Sequence, residues 1–150
     1  MRSPNRRILV PVNGKPASTH AFRRACQMSR QTRSDLFAIY IFEVPLELAL
    51  NSETMHEDTH GEEILSQVEA IALEEKCKLH ASLLQARHAG PAIVQEAEER
   101  HMDLIILGLT RRHRFDPRTL GSTSDYVLKH APCEVIVTRE RIPAASLARV

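Results

Sequence analysis

With 150 residues, 43% of them apolar, and a formal net charge of +1, the chain has the size of one ordinary domain and the material for a real core. No apolar run approaches the roughly 18 residues of a membrane span, and the balanced charge, scarce aromatics (4%) and missing Trp exclude an obvious nucleic-acid surface. Cys26, Cys77 and Cys133 are odd in number and form no CxxC pair, so they read as buried or incidental thiols of a reducing compartment.

The chain begins "MRSPNRRILVPV". A basic start before a short, proline-containing apolar run lacks the long apolar region and small-residue cleavage site of a signal peptide, so a cytoplasmic location is expected. "RRILVPV" (6–12) reads as a first strand that stops at the turn cluster "NGKP". From Ser18 onward, Ala21, Ala25 and Met28 fall at helical spacing beside Phe22 and Cys26, with Ser18 as the expected N-cap. "DLFAIYIFEVP" (35–45) is nearly continuous in apolar residues, as a strand covered on both faces is.

An irregular insertion is expected from Leu46 to His60, then a helix from about 61 to 76 with Ile64, Val68, Ile71 and Glu75 on one stripe, widened by Leu65 and Ala72. "KLHASLLQAR" (78–87) alternates loosely and reads as a third strand. Gly90-Pro91 opens a short helix with Ile93, Val94 and Ala97 inward, because a proline's missing N–H goes unnoticed in a first turn. "DLIILGLT" (103–110) is a fully buried strand, with Asp103 at its start. A helix from Ser122 to His130 follows the arginine-rich loop, then a last strand "CEVIVTR" opened by Cys133, and a tail from Ile142 that fits no element. Strands alternating with helices predict one α/β domain: a doubly wound parallel sheet with helices on both faces, since parallel neighbours need crossovers.

In such a sheet, ligands settle beyond the carboxyl ends of the strands, where neighbouring connections diverge. Asn13-Gly14, Glu43 and the loop from Gly108 leave strand ends that could meet there. "GLTRRHRFDPRTLGSTSD" (108–125) closes at Gly121 and starts a helix, whose free amides and dipole favour an anion. Ser122 and Thr123 can add hydroxyl donors. The arginines of that loop add positive potential and can fork around phosphate oxygens. Taken singly, a glycine after a strand is a turn, Ser122 an N-cap and a loop arginine a solvated charge. It is their convergence that points to a ligand.

"ILVPVNGKPAS", "DLIILG" and "LGSTSDYVLKHAPCEVIVTR" resemble the universal stress protein family, from about Arg7 to Arg139. The resemblance implies a single domain with its core at 7–139 and a tail at 140–150, and a five-stranded parallel sheet in order 3-2-1-4-5 (adenine nucleotide alpha hydrolase-like). It also implies a homodimer through the last strand, Cys133 to Arg139. Some members bind ATP or AMP and others bind no nucleotide. The binding members carry a glycine, two residues, a second glycine, nine residues and then Gly-Ser/Thr. Gly108, Gly121 and Ser122 match this pattern, whereas Arg111 stands at the second glycine, and Asn13 stands where the family's first strand ends in aspartate.

Carried over position by position, the resemblance sets Pro11, Val12, Asn13 and Ile41 around the nucleoside. It sets Gly108, Leu109, Gly121, Ser122 and Thr123 at the phosphates, with Arg111 or Arg112 either touching them or shutting the pocket. Magnesium is the candidate companion ion, although Asn13 lacks the carboxylate that would help hold it. A softer resemblance, carried by "EVPLELAL" and "GEEILSQVEAIA", is to stress-protein domains attached to amino-acid permeases or cation antiporters.

The main reading is a cytoplasmic stress-response or regulatory domain that takes an adenine nucleotide. A nucleotide-independent module regulating a membrane transporter is one alternative. A weak ATP hydrolase is another, and the missing acid at position 13 argues against it. "HEDTH" (56–60) fits H-E-x-x-H literally, and Glu62 or Glu63 could join a metal there, but it sits in a polar stretch with Gly61 directly behind it, so adventitious metal binding or a helix start dressed with acids is expected in place of a zinc protease. His88, His113 and His130 read as solvated or capping residues.

Overall fold

The computed structural model describes residues 6–47, 59–109 and 121–141. Along these the elements alternate: β1 (Arg7–Pro11), α1 (Pro16–Thr32), β2 (Asp35–Glu43), α2 (Thr59–Glu74), β3 (Leu79–Ala86), α3 (Ala89–Glu99), β4 (Leu104–Gly108), α4 (Ser122–His130) and β5 (Glu134–Thr138). The five strands form one sheet in order β3-β2-β1-β4-β5, every pair parallel.

Alternation along each strand sends side chains to two cores. Ile8, Val10 and Val12 of the β1 segment join Ala38, Ala21, Phe22, Ala25, Ile64 and Val68 on the α1/α2 side. Leu9, Phe37, Ile39, Ile105 and Leu107 join Ile93, Ala97 and Val127 on the α3/α4 side. The sheet is therefore doubly wound, and the connections from β1 and β4 leave on opposite faces. β4 is buried from Leu104 through Leu107, as its unbroken apolar run requires.

Several expected boundaries shift for identifiable reasons. α1 starts at Pro16 with Lys15 as its N-cap, so Ser18 is not the cap. Proline lacks the N–H that a first helical turn leaves without an internal acceptor, and this puts the cap three residues earlier. Ser18 is instead buried in the first turn, and its Oγ accepts the Asn13 N–H at 2.9 Å. α2 begins at Thr59 and α3 at Ala89, each ahead of the expected glycine. Glu75 lies just past α2 and faces Arg23 at 3.4 Å. Cys133 precedes β5, which is half-buried and among the described residues has a strand neighbour, β4, on one side only. At the opposite end of the sheet, Asp103 ties down the start of β1: its Oδ2 accepts the Arg7 N–H at 2.8 Å.

Two glycines are fixed by geometry. A Cβ on Gly108 would meet the Ala17 carbonyl oxygen at 2.1 Å, so only glycine lets α1 cross the end of β4 this closely. Gly121 has φ +98° with ψ 151°, a region essentially reserved for glycine.

Candidate functional site

The ends of β1, β2 and β4 and the starts of α1, α3 and α4 surround a cavity of about 540 Å³ at the carboxyl crest of the sheet. That volume suits a small organic ligand. Its floor is apolar: Val12 after β1, Ile39 and Ile41 on β2, Leu107 on β4 and Ile93 on α3. Its rim is polar: Asn13, Lys15, Glu43 and the segment from Gly121 to Ser124.

The three helix starts at this crest differ in what meets their amides. At α3, Glu43 Oε1 accepts the Ala89 N–H at 3.0 Å, so a carboxylate already sits on the positive end of that helix. At α1, the turn is closed by Asn13: its Oδ1 accepts the Lys15 N–H at 2.9 Å, while its own N–H goes to Ser18. At α4, the first internal bond runs from the Asp125 N–H to the Gly121 carbonyl at 2.9 Å, which leaves the amides of Ser122, Thr123 and Ser124 ahead of it without helical acceptors. The acid of that turn, Asp125, pairs with Lys129 at 3.0 Å. α4 thus offers the cavity an anion-accepting end.

Of the residues expected at the site, Pro11, Val12, Asn13, Ile41, Gly108, Gly121, Ser122 and Thr123 line the cavity. Leu109 is not among its lining residues; its N–H continues the ladder to the Thr138 carbonyl at 2.7 Å. Arg111, Arg112 and His113 lie outside the described residues, as do His56 and the tail from Ile142. His60 falls in the first turn of α2 with its ring edge-on to Tyr40, and no group of three metal-ligating side chains is present among the described residues. His88 takes the N-cap position of α3, and His130 ends α4 with its ring against Tyr126.

Sequence reasoning missed Lys15, Glu43 in its capping role, Ala89 and Ser124. Lys15 stands in the turn directly after β1 and Ser124 in the first turn of α4, so both were open to the strand-end rule. The meeting of Glu43 with Ala89 joins residues 46 positions apart and leaves no local signal. The thiols stand away from this cavity. Burial, then the neighbouring Cys77, pushes Cys26 far up, and burial also raises Cys133.

A doubly wound parallel sheet whose carboxyl crest carries a cavity with an apolar floor and the start of α4 at its rim has the architecture in which α/β domains take their ligands. The chain belongs to the universal stress protein family, whose model matches residues 4–139. It is 29% identical over 141 residues to universal stress protein MJ0531 of Methanocaldococcus jannaschii, which covers 90% of this chain and 82% of that protein. Its fold is similar to that of UspA from Lactobacillus plantarum, with a TM-score of 0.74, 26% identity and coverage of 92% and 100% of the two chains. The universal stress protein of Archaeoglobus fulgidus, solved in complex with dAMP, shares the fold at a TM-score of 0.67 and 19% identity, over 89% and 97% of the chains. Further structures of this fold were solved with cAMP, and with AMP in the case of Arabidopsis thaliana, at 18% and 16% identity.

Proposed function

We propose that the protein is a cytoplasmic stress-response regulator that binds an adenine nucleotide in the crest cavity. The base lies over Val12, Ile39 and Ile41, and the phosphate meets the α4 amides. The observation that carries this reading is the inequality of the helix starts: Glu43 occupies the one at α3, while at the cavity-lining start of α4 no side chain among the described residues caps the amides of Ser122 to Ser124. An anion placed there gains from oriented N–H groups and the helix dipole. The dAMP, AMP and cAMP held by proteins of this fold are in keeping with the choice of nucleotide.

Isothermal titration with AMP, cAMP and ATP tests the reading. Saturable heat for at least one of them, declining with added salt as an anion site requires, is expected. A folded protein that yields no heat with any of the three removes it.

We further propose that two chains pair through β5. This strand is the outer edge of the sheet and carries the half-buried, β-branched run Val135, Ile136 and Val137, a combination that an isolated chain would leave open to uncontrolled pairing.

A further inference from the structure

Two cysteines that lie far apart in the sequence meet in the fold. Cys26 is on α1, with no exposed surface, in the core that α1 and α2 share with the sheet. Cys77 follows the end of α2 and packs half-buried against the same core. The two thiols are hydrogen-bonded to each other. Burial first, and then that bond, hold Cys26 in its protonated form, so Cys26 is the donor and Cys77 Sγ the acceptor.

The backbone around the pair is fixed from both elements. α2 ends in a Schellman turn: Lys76 takes a left-handed φ of 59°, its N–H goes to the Leu73 carbonyl at 3.2 Å, and the Cys77 N–H goes to the Ala72 carbonyl at 2.9 Å. The residue after the left-handed position of such a turn packs its side chain back on the helix, which brings Cys77 to the core. From α1, Arg23 and Arg30 stand one turn before and one turn after Cys26 and both grip the neighbouring Glu75. Arg23 Nη1 lies 3.4 Å from Glu75 Oε1, and Arg30 Nη1 donates to the Glu75 carbonyl at 2.6 Å. Cys133 packs on the opposite face of the sheet and takes no part.

We propose that Cys26 and Cys77 are an oxidisable dithiol, a modification site that hydrogen peroxide converts into an intramolecular disulfide tying α1 to the end of α2. Solvent reaches Cys77 and not Cys26, so the peroxide meets Cys77 first. The Cys77 sulfur gives up its proton and attacks one peroxide oxygen. The O–O bond breaks, the released hydroxide takes that proton as water, and Cys77 becomes a sulfenic acid. The Cys26 sulfur, already within hydrogen-bond reach, then attacks Cys77 Sγ. The S–O bond breaks and hydroxide leaves with the Cys26 proton as a second water. Two thiols and one peroxide thus give one disulfide and two waters, and a dithiol reductant reverses the change.

The full chain, treated with hydrogen peroxide and then alkylated in denaturant without reductant, is mapped by peptide mass spectrometry. The Cys26 and Cys77 peptides are expected as one linked species, lighter than the sum of the two by two hydrogens. Cys133 should be recovered alkylated, and dithiothreitol should return both linked thiols. Cys26→Ala should instead leave Cys77 as a sulfenic acid that dimedone traps, and the wild-type map decides alone if that variant misfolds. The proposal is overturned if Cys26 and Cys77 both stay free at a peroxide dose that oxidises glutathione in a parallel sample. It is equally overturned if Cys77 proceeds to sulfinic acid with Cys26 still free, or if either residue links to Cys133 or to a second chain instead.

Discussion

Gly108 and Gly121 look alike in the sequence, as the two ends of one motif, yet they are glycines for different reasons. Gly121 needs its positive φ to turn the chain into α4. Gly108 has no such backbone demand: it is small because the Ala17 carbonyl sits where a methyl group would go. Motif spacing identified both positions, but a steric demand made by a helix 91 residues earlier in the chain cannot be read from spacing. The same holds at position 13, where the residue type was legible and the direction of its amide was not. Gly108→Ala is expected to destabilise the fold by about 3 kcal/mol, because the clash is with backbone that cannot rotate away. Urea unfolding measures this, and a loss below about 1 kcal/mol would mean that α1 shifts freely. Gly121→Ala is expected to cost about 1–3 kcal/mol through backbone strain alone. It should also weaken nucleotide binding, since the α4 amides move with that turn, and a calorimetric titration of the folded variant reads this second effect directly.

At the scale of elements, the run "DLIILG" and the periodic helices were legible because burial on both faces, or on one stripe, writes itself into local sequence. Helix starts were less so. Ser18 has the chemistry of a cap, but Pro16 outbids it by fitting the first turn, and Ser18 then serves as an acceptor inside the helix. The contact that orders α3 against β2, from Ala89 N–H to Glu43, is tertiary and had no local signature. Glu43→Ala should lower stability by about 0.5–1 kcal/mol, a modest loss because the carboxylate is exposed to solvent. Glu43→Gln, which keeps an acceptor, should recover part of it in the same chemical melts. The packing of α1 also governs thiol chemistry. Burial keeps Cys26 protonated well above the ordinary thiol value of 9.0. Native protein at pH 8 should therefore leave Cys26 as the last of the three thiols to react with iodoacetamide, as peptide mass spectrometry would record. The sign for stability follows: below pH 9 the thiol is neutral in both states and costs nothing. As pH rises further, the unfolded chain ionises and the folded one does not, so stability falls.

For the whole molecule, alternation of strands and helices fixed the parallel, doubly wound class, whereas the order 3-2-1-4-5 came from the family resemblance, because periodicity carries no information on which strands are neighbours. That order has a consequence at each edge. It sets β1 and β4 side by side at the centre, where the cavity forms, and leaves β5 outermost. The backbone groups on the side of β5 that has no strand neighbour among the described residues, flanked by Val135, Ile136 and Val137, form a template for another strand edge. Pairing of two β5 edges about a two-fold axis would close it, since the same patch then faces itself and no further copy can add. Light scattering on the eluting peak should accordingly give the mass of two chains at micromolar concentration. Val137→Lys places like charges on both sides of that axis, so the variant should elute as one chain while keeping its circular dichroism spectrum. Its nucleotide affinity should be unchanged, because the described lining of the cavity comes from β1, β2, β4 and the helix starts, with no residue of β5. A wild-type chain that is monomeric under these conditions would refute pairing through β5 and leave the site as described, whereas a monomeric variant that also loses nucleotide would show that assembly and binding are coupled through β4, the strand that joins them.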